Sequence, residues 1–334
     1  MRTLNMKTVA LLAAAAAAAS AQTLVVTSSN AASNQLLVYN ANAKLVQTIS
    51  TQGAGGVSGN AGGIATSQKQ LAVVNFGSTN VALFERAGGV YAFSRTIPAA
   101  SSPVSVAFGN NHLYILGSTS VESHNISSAS GVSATPDGVA SLVVADGSAA
   151  QVGVVPGQLI LTEKSNAIET VNLTADGAVT GPATMVSNIP SNVNAPFGLV
   201  TRGNDAYVTI AHANEISLVR NDDVLTVTGS GTQMAPCWVA LDGAFLFSSN
   251  SPSMTISRYA VYGAEIVQDA AVAATLNGDP TDIAYATRLV GVLDGSGSIS
   301  HLSVFNVDED GNLTLKGVAT ISGAANGVAV VPAQ

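Results

Sequence analysis

The sequence predicts an all-β fold: a seven-bladed β-propeller with four antiparallel strands per blade, its ring closed by N-terminal strands pairing with the C-terminal strand. Three observations carry this. The 334 residues include 32 Gly and 11 Pro among abundant Val, Ser, Thr and Asn, a composition of strands and turns. A short phrase recurs seven times, at steps of 42, 46, 47, 40, 44 and 45 residues. Each copy but the last leads into an apolar strand, a polar turn and an alternating strand.

The chain opens with a segment that reads as a cleaved signal peptide, residues 1–21. Arg2 and Lys7 supply the positive start, Val9 to Ala18 the short apolar core, and Ala19-Ser20-Ala21 a small-residue cleavage site before Gln22. The apolar run is too short to span a bilayer comfortably, and no second long one follows. Residues 22–334 are expected to form a single propeller domain, secreted and monomeric.

The phrase is a small residue or Pro, two variable positions, an aliphatic and usually Ala. Its copies begin at Ala61, Pro103, Ala149, Pro196, Pro236, Pro280 and Ala325. Apolar strands follow, among them Leu71-Ala72-Val73-Val74, Leu113-Tyr114-Ile115-Leu116 and Ala244-Phe245-Leu246-Phe247. Ala175-Asp176-Gly177 and Glu309-Asp310-Gly311-Asn312 mark hairpin turns. The copy at Ala325 has almost nothing after it. The missing strands stand at the other end, in Thr23 to Thr27, Gln35 to Tyr39 and Lys44 to Thr48. Joining the two ends completes seven units of about 45 residues and leaves only short edges.

Charge excludes whole classes of partner. Only 10% of residues are charged, against about a quarter in ordinary domains, and the net charge is −8. Nucleic acid and anionic membranes require basic patches and are excluded as partners. The lone Cys237 forms no intramolecular disulfide. Sequons at Asn125, Asn172 and Asn312 are glycan acceptors in an exported eukaryotic chain.

Several motifs look familiar. They include Leu161-Thr162-Glu163-Lys164 with Ile168-Glu169-Thr170, then Pro196-Phe197-Gly198 and Ala235-Pro236-Cys237-Trp238-Val239-Ala240. Ser249-Asn250, Thr255 to Tyr259, Pro280 to Ala284 and Asp310-Gly311-Asn312-Leu313 complete the set. The run from 140 to 317 resembles the seven-bladed lactonase-like propellers, which include 3-carboxymuconate cyclase and 6-phosphogluconolactonase-like proteins. The resemblance implies a fold and a lactone chemistry. Exported fungal glycoproteins that resemble this group occur at cell walls and surfaces.

In a propeller, the loops entering each innermost strand and those after each second strand share one face, where ligands usually bind. The catalytic candidates on that face are His212, Glu215, Glu163 and Lys164. A His beside a carboxylate suits the proton transfers of lactone closure or opening, and its plainer reading is a hydrogen-bonded turn. Glu163-Lys164 reads as an acid/base or carboxylate clamp, or as a strand-end ion pair. The ligand-binding candidates are Phe197, Trp238, Asn250, Asp282, Asp294 and Asn326. Phe197 and Trp238 alternatively belong to the core, and Asp282 and Asp294 to turns.

A tricarboxylate cyclase should present several Arg or Lys residues, and only Lys164 maps clearly to this face. A neutral lactone or a sugar suits it better. No nucleophile elbow and no phosphate-binding glycine motif occurs, so no nucleotide cofactor is implied. The four His stand on different repeats without ligand spacing, so no metal is implied. Gly53-Ala54-Gly55-Gly56-Val57-Ser58-Gly59 reads as a flexible blade-to-blade loop. Two functions follow: an enzyme that forms or opens a lactone, or a non-catalytic extracellular or cell-wall glycoprotein that binds glycan or protein.

Overall fold

The computed structural model describes residues 22–334 apart from 88, 130, 190 and 192, so the leader read at 1–21 lies outside the described residues. Seven antiparallel sheets form the ring. The first blade joins both ends of the chain. Leu24–Ser28, Gln35–Asn40 and Leu45–Ser50 run outward in order, and Asn326–Val331 adds the innermost strand by pairing with Leu24–Ser28. This is the closure the phrase at Ala325 predicts.

The other blades follow in sequence. The second is Ile64–Thr66, Gln70–Asn75, Asn80–Ala87 and Val90–Pro98. The third is Pro103–Gly109, His112–Gly117 and Ser120–Ser127, its outer place shared by Gly131–Val132 and Gly138–Ser141. The fourth is Ala149–Val155, Gln158–Glu163, Ala167–Leu173 and Val179–Val186. The fifth is Pro196–Arg202, Asp205–Ile210, Glu215–Arg220 and Asp223–Gly229. The sixth is Pro236–Asp242, Phe245–Asn250, Thr255–Tyr262 and Glu265–Thr275, and the seventh Asp279–Ala286, Leu289–Ser296, Ile299–Val307 and Leu313–Ser322.

The recurring phrase is the entry of each innermost strand. Its first residue pairs with the end of the second strand, as Pro103 does with Gly117, Pro236 with Asn250 and Pro280 with Asp294. The register then shifts, and pairing resumes at the third residue, Ser105, Trp238 or Asp282. Proline suits the first place because it brings no N–H to the ladder. The bulge after it bends the strand and raises its twist, which turns the sheet edge along the channel.

Blades pack face to face through alternating apolar side chains. Leu113 and Leu116 of the third blade share one buried cluster with Leu159 and Leu161 of the fourth. Hydroxyls on the second strands add ties across the gaps: Thr209 Oγ1 donates to the Cys237 carbonyl at 2.9 Å. Innermost strands come close at Gly198, where an added Cβ would stand 2.5 Å from the Cys237 carbonyl oxygen. Gly198→Ala should therefore cost about 1–3 kcal/mol by overpacking. Gly295→Ala, whose Cβ meets nothing closer than 3.9 Å, should leave the melting temperature nearly unchanged. Thermal melts of the two variants check this, and equal melts would contradict it.

Candidate functional site

The face predicted as the mouth is not open. The segment leading into the second blade crosses it and is held from several sides. Asn60 exchanges amide hydrogen bonds with Asn326: Asn326 Nδ2 donates to Asn60 Oδ1 at 2.8 Å, and Asn60 Nδ2 to Asn326 Oδ1 at 3.3 Å. Asn60 Nδ2 also donates to the Val104 carbonyl at 2.6 Å. Trp238 Nε1 donates to the Asn60 carbonyl at 3.0 Å, and the Ala61 amide to the Ala150 carbonyl at 3.1 Å. The Gly62 carbonyl accepts from the Val106 amide at 2.9 Å and from Ser105 Oγ at 3.2 Å. Residues 60–62 thus bond to the first, third, fourth and sixth blades, and through the Gly62 amide to Asp282 of the seventh. Ala61 is buried against Phe197, Trp238 and Ile283. The Gly-rich loop read from the sequence as flexible ends as a plug.

The third residue of the phrase is the position that meets the plug. Ser105 and Trp238 do so by the bonds just given. Asp282 accepts from the amides of Ile283 at 2.9 Å and Val328 at 3.0 Å, and from the Gly62 amide. Gln151 accepts the Leu199 amide at Oε1 over 2.6 Å. Gly62 takes φ +63°, and a side chain there would press on Ser105 Oγ and Gln151 Nε2.

Beneath the plug, the innermost strands enclose a cavity of about 410 Å³. Gln151, Trp238 and Asp282 line its plugged end. Thr66, Thr201 and Tyr285 line its far end, on the side of the turns between first and second strands. The intervening wall is Val, Ala, Leu and Ile, and no Lys, Arg or His lines it. Asp282 is the one acid among the lining residues. Burial pushes its pKa up to about 7, against the three amides that favour its charged form.

The described hydrogen bonds and ion pairs do not join the catalytic candidates into one cluster. Glu163 is fully buried; its Oε2 accepts from Ser148 Oγ at 2.9 Å, while Oε1 has no partner. Burial pushes its pKa up to about 8, a rise that nearby Glu169 and Asp146 reinforce while Ser148 and Lys164 oppose it. Lys164 Nζ donates to the Gly59 carbonyl and lies 5.9 Å from the centre of the Phe197 ring. It latches the plug, and burial lowers its pKa. His212 is exposed on the single turn Ala211–Ala213. Glu215 is half-buried with Oε2 unpartnered, and burial raises its pKa. Neither a hydrogen bond nor an ion pair joins His212 to Glu215 among the described interactions.

The ligand-binding candidates divide in the same way. Phe197 packs edge-on against Trp238 with centroids 5.1 Å apart, and Trp238 alone of the two reaches the cavity wall. Asp282 lines the cavity, and Asn326 holds the plug. Asn250 is buried at the end of its strand, where Nδ2 donates to Ser257 Oγ at 2.8 Å. Asp294 is buried and bonds His301 Nδ1 at 2.7 Å through Oδ1; burial raises its pKa although His301 opposes this. Asn60 and Gln151 were not singled out from the sequence. Gln151 had a signal, since it fills the third place of the phrase; Asn60 stands just outside the phrase and had none.

No protein-family model and no curated protein matches the sequence. Solved structures do match the fold. A Bacteroides uniformis protein provisionally assigned as a 6-phosphogluconolactonase superposes with a TM-score of 0.68 at 14% identity, over 93% of this chain and 100% of that one. A Lactobacillus plantarum protein gives 0.66 at 16% identity, over 93% and 99%. A streptogramin B lyase gives 0.61 at 14% identity, over 81% and 87%. The shared architecture is that of a seven-bladed propeller. Among the described residues, no helix is long and apolar enough to cross a membrane.

The buried acids set the pH dependence of stability. A carboxyl whose pKa is higher in the folded chain keeps its proton preferentially when folded. It favours folding at low pH, and that contribution is lost as pH rises. For Glu163 the loss runs from about 4, the unfolded value, to about 8. Glu163→Gln should therefore raise the melting temperature by a few degrees at pH 8 and by little at pH 5. Melts across that range check the sign, and a variant that tracks the wild type at both ends would contradict it.

Proposed function

We propose that the central cavity binds a small neutral cyclic ester and opens it, with Asp282 as the acid/base. The observation that carries this is Asp282 itself: the one acid lining the cavity, with its pKa pushed up to about 7. A group poised there is half charged at neutral pH, which suits proton transfer in both directions. As a carboxylate, Asp282 takes a proton from the water that attacks the lactone carbonyl. It returns that proton to the ring oxygen as the ester bond breaks, which leaves a hydroxy acid. Gln151 Nε2, which makes none of the described hydrogen bonds, is placed to donate to the carbonyl oxygen. The absence of Lys, Arg and His from the lining disfavours phosphorylated or carboxylated lactones, which require cationic clamps.

A second reading is favoured by a different observation. Glu163, Lys164, Asn250, Asp294 and Asn326 are all engaged in holding the frame, and no described hydrogen bond joins His212 to Glu215. On this reading the protein is a non-catalytic extracellular glycoprotein that binds sugar or protein. Export fits the leader, and the sequon asparagines Asn125, Asn172 and Asn312 are all exposed.

A panel of neutral γ- and δ-lactones, 6-phosphogluconolactone and carboxylated muconolactones separates the two. Hydrolysis should be confined to the neutral members, and its rate should rise with pH through about 7 as Asp282 loses its proton, then level off. Asp282→Asn should lower the rate by at least about 100-fold. Gln151→Met, which leaves Asp282 in place, should lower it by a smaller factor. Both variants are checked for a native melt. No turnover by the wild type would overturn the enzyme reading, and sugar binding by calorimetry would then support the second.

A further inference from the structure

The two ends of the described chain meet at one buried cation. Arg86 is only 6% exposed. Its Nη1 donates to the Pro332 carbonyl at 2.6 Å and its Nη2 to the Gln22 carbonyl at 3.1 Å. The guanidinium lies 6.0 Å from the centre of the Tyr91 ring, and its Nε is buried without a partner. None of the described ion pairs includes Arg86, so carbonyl dipoles and an aromatic face hold its charge. Gln22 stands just ahead of Leu24–Ser28, the strand that closes the ring.

Cleavage after Ala21 makes Gln22 the first residue of the mature chain. Its new α-ammonium then sits on the very residue whose carbonyl Arg86 holds, so two positive charges adjoin in a partly buried place. Like charges at that range disfavour each other. The side-chain amide of Gln22 makes none of the described hydrogen bonds, and the residue is half-exposed.

We propose that the mature N-terminus is a pyroglutamate formed from Gln22. The α-amine, as the free base, attacks the side-chain amide carbon Cδ. The N–Cδ bond of a five-membered lactam forms, the bond from Cδ to the amide nitrogen breaks, and ammonia leaves with the amine's proton. No oxidant, reductant or further reactant is needed. The lactam is neutral, so the repulsion from Arg86 disappears while the Gln22 carbonyl remains free to accept its hydrogen bond. It also removes the free amine that aminopeptidases require, at the end of the chain where trimming would begin to strip the closing strand. The proposal rests on the reading of residues 1–21 as a cleaved leader.

The test uses the full chain, expressed with its own leader in a secreting eukaryotic host, deglycosylated and measured by intact and peptide mass spectrometry. The expected N-terminal peptide begins at residue 22, is about 17 Da lighter than unmodified Gln through loss of ammonia, and is blocked to Edman degradation. Gln22→Ala should give the same cleavage with a free, sequenceable amine. Uncyclised chain, collected fresh and cold, should melt a few degrees lower than the same sample after glutaminyl cyclase treatment. A chain that begins at Gln22 and keeps its free amine after prolonged storage overturns the proposal alone. A chain that retains its leader, or is cut at another bond, overturns the secretory reading and the proposal together.

Discussion

Asn60 is where the ring is tied. Its side chain and carbonyl reach Asn326 of the first blade, Val104 of the third and Trp238 of the sixth, all within the channel. A propeller channel exposes the edges of seven innermost strands, whose polar main-chain groups need partners once water is excluded. The segment at 60–62 supplies several of them, at the Val104 and Ala150 carbonyls and the Val106 amide. It turns the channel from an open bore into a cavity closed at one end, and it gives partners or contacts to the polar third places of the phrase at Ser105, Gln151, Trp238 and Asp282. Everything inferred about a ligand depends on this closure, because it decides which end of the channel is accessible.

The architecture was legible in the sequence because it repeats. The bulge after the first residue of the phrase demands the same residue types in blade after blade, and the unpaired copy at Ala325 requires partners that only Leu24–Ser28 supplies. The plug was not legible. Gly53 to Gly63 carry the composition of a loop, and what fixes them are bonds to residues as far away in sequence as Trp238 and Asn326. Local pattern holds no trace of such partners. Burial was equally hidden. Glu163 and Asp294 stand at or near the ends of their strands as mouth residues do, yet they are buried on Ser148 and His301 and neither lines the cavity.

Low charge content gains a specific meaning from the fold. With so few ionisable groups, the protein buries several carboxyls whose desolvation outweighs their hydrogen bonds, at Glu163, Asp282 and Asp294. Glu163 and Asp294 lie away from the cavity lining and act on stability. Asp282 alone of the three lines the cavity, where the same physics pushes its pKa up to about 7. The propeller architecture is shared with proteins of differing names, so chemistry has to be argued from this cavity and not from the ring.

Hydrogen–deuterium exchange of residues 57–64 tests the closure most directly. The Ala61 and Gly62 amides, bonded to the Ala150 carbonyl and to Asp282, should be protected at a level comparable to the innermost strands. Trp238→Phe, which removes the donor to the Asn60 carbonyl but keeps an aromatic in the wall, should raise exchange at those amides while leaving the blades protected. Rapid exchange at Ala61 and Gly62 in the unaltered protein would contradict the account, because the plug would then be a loop and the channel open at both ends.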